Sequence, residues 1–389
     1  MSLIVQGDCM ISVAWLTVPI ADLNVGLPLR YDIFSENGEQ IARLGERVTQ
    51  HTKSSWGQLG FDRVYAKVVT EAKEDIHFQA YDTNVVQRLE RNLNQANQII
   101  GTVASNKKNH HTLTSLEFAQ VCGEMLNSIQ SDSSAALFLL ASSLIKQTDQ
   151  EAIQVANRCS QMSLLAMTIA YELGLVPAEC QAIGTVAMLH DISLMAELDS
   201  DVDRSVFYRQ HPLRSARIVQ GIVGLPAKVI SAVAQVHETM LGDGYPQGVY
   251  LGKYQRIAKV VGVADAFLTL TRRLQPESMP AAMNFHPADA VGYLMYQAIH
   301  GRYDTEIVKA LISSGSLYPI GSSVILNDQT TATVHRSTKT AGSKPVIRRE
   351  SDNSLIDLRY SQLKIAGPNR NAYDYQPLRK SQLDTLRIA

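Results

Sequence analysis

Four groups of imidazole and carboxylate side chains stand out in the middle of this 389-residue chain. His190-Asp191 closes the apolar run AIGTVAMLHD, and His211-Pro212 opens the next long helical segment. His237-Glu238 ends a further one just before TMLGDGYPQG, and Asp265 lies inside VVGVADAFLTL. An aspartate in so apolar a run is expensive to bury unless it is paired or coordinates a cation. Adjacent His and Asp at a helix end put a nitrogen and an oxygen donor within reach of one ion, and such ligands suit Fe, Mn, Zn or Ni. Any one of these residues alone reads as a satisfied core side chain; together, in one helical block, they point to a metal centre. Cys9, Cys122, Cys159 and Cys180 form no CxxC pair and match no zinc or disulfide spacing, so they read as free thiols of a reducing compartment and no thiolate ligand is expected. His110 and His111, in the polar stretch SNKKNHHTLT, read as solvated loop histidines.

The elements that must position these groups are helices. Apolar residues recur at helical spacing over 152–174, 178–197, 211–222, 226–238, 253–272, 287–298 and 304–313. Gly174, Pro177 and Pro226 punctuate them. Residues 136–316 are therefore expected to be an all-α domain, preceded by a helical linker region over 86–135. Residues 1–85 read as a small β-rich domain with a hairpin turn at Asn37-Gly38 and a short helix near 47–59. Residues 317–389 read as a β-rich C-terminal extension, with strands in SSVILND, TATVHR, KPVIRR and LIDLRY and a polar tail. The fold class is thus multidomain α+β.

Composition excludes several partners. With 36 basic against 37 acidic residues and a net charge of -1, no global field is present to hold a nucleic acid polymer or an anionic membrane. The start, MSLIVQGD, has no basic region of a secretory signal, and the apolar stretch 135–145 is too short to span a bilayer. A cytoplasmic protein is expected.

The strings LHDIS, HPLRSARIV, VHETMLGDGYPQGV and RIAKVVGVADAFLTL resemble, in order and approximate spacing, the motifs of the HD-GYP family, whose name comes from the triplet here at Gly244-Tyr245-Pro246. The resemblance implies an HD-type helical domain acting on cyclic di-GMP, a bacterial signalling dinucleotide, and hydrolysing it to pGpG or GMP. It further implies divalent metal, Fe or Mn foremost, held by His190, Asp191, His211, His237 and Asp265, with Asp191 shared between ions and central to catalysis. It makes 244–246 an interaction loop for partners that include diguanylate cyclases of the GGDEF kind.

Departures from the family pattern bear on activity. The first family ligand is a histidine; the resemblance places Arg158 there, and no histidine occurs from 112 to 189. Leu194 stands where a phosphate-holding lysine is expected, and Val236 stands for the first of a histidine pair. A guanidinium repels a divalent ion, so reduced metal occupancy or none is implied. Arg158 is a candidate to grip a phosphate directly, or a helix-end arginine in a salt bridge. Arg214 is a second candidate for substrate binding, against the plainer reading of a charged helix face. Two functions follow: a degenerate domain serving as nucleotide receptor or interaction scaffold, or a metal-dependent phosphodiesterase.

Overall fold

A computed structural model describes residues 2–6, 9–71, 81–105, 113–143, 151–196, 204–250, 252–271, 285–338 and 342–372. His110, His111 and the tail from 373 lie outside them. The N-terminal part is an antiparallel sheet of β1 (Ser2–Gln6), β2 (Cys9–Pro19), β3 (Asp32–Phe34), β4 (Gln40–Ala42) and β5 (Arg63–Glu71), in the order β1-β2-β5-β3-β4. The β3–β4 hairpin turns through Gly38, whose φ of 77° is open to glycine at no steric cost. Helix α1 (Gln50–Gln58) is capped by Thr49 and sets Trp56 into the sheet's small core with Ile33, Val64 and Ala66.

The helices that follow share one core: α2 (Thr83–Ser105), α3 (Ser115–Ser131), α4 (Ser133–Ser143), α5 (Glu151–Glu172), α6 (Pro177–Leu189), α7 (Ile192–Ala196), α8 (Arg204–Val219), α9 (Ala227–Val233), α10 (Arg256–Thr271), α11 (Pro287–Ile299) and α12 (Thr305–Gly315). The caps are those the residues dictate. Thr114 and Glu117 form a capping box on α3, and Pro177 and Pro287 occupy first turns, where a missing N–H costs nothing. Helix α5 is the central element and packs on α2, α6, α10 and α12. Gly184 lets α6 approach closely, since a Cβ there would meet Met167 Sδ at 2.4 Å.

Two boundaries differ from the sequence reading, each for a local reason. The segment 178–197 breaks at His190-Asp191 into α6 and α7. Helix α8 begins at Arg204, so His211-Pro212 lies inside it and does not open it. The proline survives because the carbonyl it cannot reach, that of Tyr208, accepts instead from the His211 ring nitrogen Nδ1 at 2.5 Å.

The chain ends in a second antiparallel sheet of β6 (Ser323–Leu326), β7 (Thr331–Arg336), β8 (Val346–Arg349), β9 (Leu355–Asp357) and β10 (Ile365–Pro368), in the order β10-β6-β7-β8-β9. Strand β10 falls where the sequence reads as polar tail, and its pairing with β6 explains why it is ordered without an apolar pattern. Side-chain hydrogen bonds tie the sheet to the helices. Arg336 Nη2 donates to both carboxylate oxygens of Asp132 at 3.0 Å, and the His286 Nε2–H donates to the Ser323 carbonyl at 2.7 Å. His286 also caps α11, its Nδ1 accepting from the Ala288 N–H at 3.1 Å.

That cap needs a neutral imidazole, and burial pulls the His286 pKa below its ordinary value despite the Ser323 carbonyl. The depressed value means the unfolded chain takes up the proton first. The contribution is therefore full above the ordinary imidazole pKa of about 6.5 and is lost as pH falls through the folded value. Thermal unfolding of wild type and His286→Gln should converge as pH is lowered through that range; a constant gap across it would contradict the assignment.

Candidate metal centre

The site forms where four helices expose their polar exceptions to one another. Asp191, at the α6–α7 break, is 2% exposed and sits at its middle. Its Oδ2 lies 3.0 Å from His190 Nε2, and its Oδ1 lies 3.0 Å from His211 Nε2 and 3.9 Å from His237 Nε2. His211 Nε2 and His237 Nε2 are 3.1 Å apart. Asp265, on α10, faces His237 Nδ1 through Oδ2 at 3.4 Å. The five residues singled out in the sequence therefore converge.

Each imidazole is aimed by a partner on its other nitrogen. His190 Nδ1–H donates to the Ala187 carbonyl at 2.9 Å, His211 Nδ1–H to that of Tyr208, and His237 Nδ1 is turned to Asp265. This leaves the Nε2 atoms of His190 and His211 bearing lone pairs toward Asp191, the arrangement by which backbone carbonyls orient metal-binding histidines, and turns His237 Nε2 to the same point. Two ring nitrogens and a carboxylate oxygen at 3.0–3.1 Å repel unless a proton or cation lies between them. His190 Nε2 and Asp191 Oδ2, 3.0 Å apart, are buried in the same way. The donor set thus fits a divalent ion, and Asp191, His211 and His237 offer ligand atoms all within 4.8 Å of one another.

The electrostatics favour positive charge at the centre. Burial opposes its charge, yet the carboxylates of Asp191 and Asp265 lift the His237 imidazole to about 9. Burial likewise works against ionised Asp191, but the histidines around it hold its carboxyl well below the usual range. For His211 burial prevails and lowers the pKa.

Arg158 points inward from α5 and is 2% exposed, so it is neither a surface nor a helix-end arginine. Its Nη2 donates to Asp265 Oδ1, and to Thr269 Oγ1 at 2.8 Å, while Nε lies 3.9 Å from Asp191 Oδ2. The Asp265 carboxylate is held far below its ordinary pKa, because the Arg158 charge and His237 outweigh burial. Leu194 and Val236, at 0% and 1% exposure, are apolar core. A Cβ on Gly262 of α10 would meet the Val236 carbonyl at 2.7 Å, and this close approach brings His237 beside Asp265.

The 244–246 loop roofs the site. Tyr245 is 5% exposed and its ring stacks on that of His237, centroids 4.8 Å apart and planes within 7°. Glu238 holds the loop in place by accepting from the Gln247 and Val249 N–H groups at 2.8 and 2.9 Å. Gly244 admits no side chain, since a Cβ would sit 2.6 Å from the His237 carbonyl. Arg214 is apart from the ligand cluster. It lines a cavity of about 430 Å³ with Arg209, Arg217 and the outer side of the loop.

Sequence spacing concealed two participants. Thr269, one turn after Asp265, accepts from Arg158. Cys159 lies with His190 and Asp191 in a second group of potential ligand atoms within 4.8 Å, so a thiol does stand at the centre where none was expected. Nothing in the cysteine spacing could have signalled it, because the partners are 31 and 32 residues away on another helix.

Comparison with known proteins finds relatives of the helical block. Residues 139–307 match the HD domain. Over 170 residues the chain is 24% identical to cyclic di-GMP phosphodiesterase PA4108 of Pseudomonas aeruginosa, a match covering 42% of this chain and 39% of that protein. The chain thus aligns with about two fifths of that relative's length. A solved structure, Bd1817, an HDG"Y"P protein from Bdellovibrio bacteriovorus, aligns with 77% of this chain and 98% of its own at 17% identity and a TM-score of 0.43. Among the described residues no helix is long and apolar enough to cross a membrane.

Removing one partner of a buried ion pair strands the other charge, at a cost of about 3–5 kcal/mol. Arg158→Ala should lower the unfolding free energy by that order in denaturant titration, and adding Asp265→Ala should restore part of it. Equal stability of Arg158→Ala and wild type would contradict the pairing.

Proposed function

Taking residues 139–307 as an HD domain of the HD-GYP family, we propose that the chain is a cyclic di-GMP receptor whose metal centre has lost most of its hydrolytic power. The observation that carries this reading is the buried Arg158, ion-paired with Asp265 and facing Asp191. A bound ion, Fe or Mn in the family's manner, would polarise a phosphoryl oxygen and lower the pKa of its water. Asp191, His211 and His237 would hold it.

The remaining residues favour binding over turnover. Arg158 commits Asp265, which is then no free ligand. Leu194 leaves no side-chain cation where the family resemblance expects a lysine, and such a loss costs about 3 kcal/mol of transition-state stabilisation. Arg158 Nη1 is buried with no partner among the described residues and is available to donate to a phosphate oxygen. The dinucleotide would be gripped without the charge arrangement that cleaves it.

A weak phosphodiesterase is the second reading. The group Asp191, His211 and His237 favours it, because three protein ligands with an open position are a common form of catalytic metal site. Contact with a diguanylate cyclase through the 244–246 loop would fall to its exposed neighbours Leu241 and Tyr250, since Tyr245 is buried.

The test uses full-length protein purified without oxygen. Calorimetry with cyclic di-GMP should register binding, and chromatography should find little pGpG. Arg158→His, which releases Asp265 and returns an imidazole, should raise turnover by roughly tenfold or more, in line with one recovered electrostatic contact. Absence of binding, or wild-type turnover at or above that of Arg158→His, would overturn the receptor reading.

A further inference from the structure

One donor at the centre has no part in the function argued above. Cys159 follows Arg158 on α5 and is fully buried. Its Sγ lies with a His190 nitrogen and an Asp191 oxygen in a single group whose atoms are all within 4.8 Å of one another. His190 Nδ1 is committed to the Ala187 carbonyl, so Nε2 is the nitrogen left to serve, and it is buried. That nitrogen faces Asp191 Oδ2 at 3.0 Å, and with the ring proton held on Nδ1 the two lone pairs oppose each other unless a proton or cation lies between them.

We propose that Cys159 is a metal ligand. Its thiolate, His190 Nε2 and Asp191 hold a divalent ion beside the one assigned to His211 and His237, with the Asp191 carboxylate shared between the two. The proposal rests on the metal centre assigned above and changes the character of one half of it. Arg158 has drawn Asp265 away, which removes a carboxylate from that half. The same guanidinium, 3.9 Å from Asp191 Oδ2, opposes a second dication. A thiolate answers both effects, because it supplies a donor and a negative charge beside His190 and Asp191. Binding releases the thiol proton to solvent and involves no change of oxidation state. Sulfur also shifts the preference of this position toward softer ions such as zinc.

The other described thiols have different surroundings. Cys122 Sγ is 3.8 Å from Thr185 Oγ1, and Cys180 Sγ is 3.6 Å from the Leu175 carbonyl. They serve as controls.

Cobalt(II) titration of the metal-stripped full chain under anaerobic conditions tests the proposal. Visible d–d bands report any bound cobalt, whereas an intense near-ultraviolet sulfur-to-cobalt charge-transfer band reports a thiolate ligand. Both should appear in wild type. In Cys159→Ser the charge-transfer band should vanish and the bound cobalt should fall from two equivalents to one. In Cys9→Ser, Cys122→Ser and Cys180→Ser the band should persist, which assigns it even if Cys159→Ser does not fold. Visible bands without charge transfer in wild type would overturn the Cys159 assignment and leave the Asp191, His211 and His237 site standing. No cobalt absorption at all would overturn both.

Discussion

The carboxylate of Asp191 is the constraint around which the rest is arranged. It is buried at a helix break, among apolar helices, and an uncompensated charge there would cost several kcal/mol. Three imidazoles and a guanidinium converge on it, drawn from α5, α6, α8 and the segment after α9. The helices can bring their polar residues together only because cation and carboxylate are brought together in the same step. The fold and the site are one electrostatic solution.

Orientation is set one layer further out, largely by backbone. A proline inside α8 frees the Tyr208 carbonyl, and that carbonyl takes the proton-bearing side of the His211 ring. A carbonyl of α6 does the same for His190. Ser193 ties α7 to α8 by donating to the His211 carbonyl at 3.0 Å and contacting Ser215 Oγ at 2.9 Å. The glycines at 244 and 262 let the segment carrying His237 lie against both the loop above it and α10 beside it. Arg158 then distinguishes this centre from one built wholly of metal ligands, because it brings its own permanent charge to Asp265.

Much of this was legible in the sequence. The helical block, both flanking sheets and the hairpin at Asn37-Gly38 follow from periodicity and turn residues, and the five converging side chains follow from polar residues placed where burial is costly. What was hidden is contact between distant elements. The pattern could name Arg158 but could not turn it inward onto Asp265. It read Pro212 as a helix start, since the His211 ring that replaces the lost hydrogen bond is a three-dimensional compensation. It discounted cysteine by spacing, although Cys159 reaches the centre from a helix whose next turn is core. Strand β10 lacked an apolar pattern and is defined by its partner β6 alone.

A cation between Asp191 and the imidazole nitrogens that face it would be required for the fold to reach its full stability. Thermal unfolding of the same preparation before and after chelation, and again after manganese or iron is returned, measures this directly. The chelated protein should melt at a lower temperature, and the returned ion should restore the transition. Identical melting in all three states, with no ion retained after chelation, would contradict it.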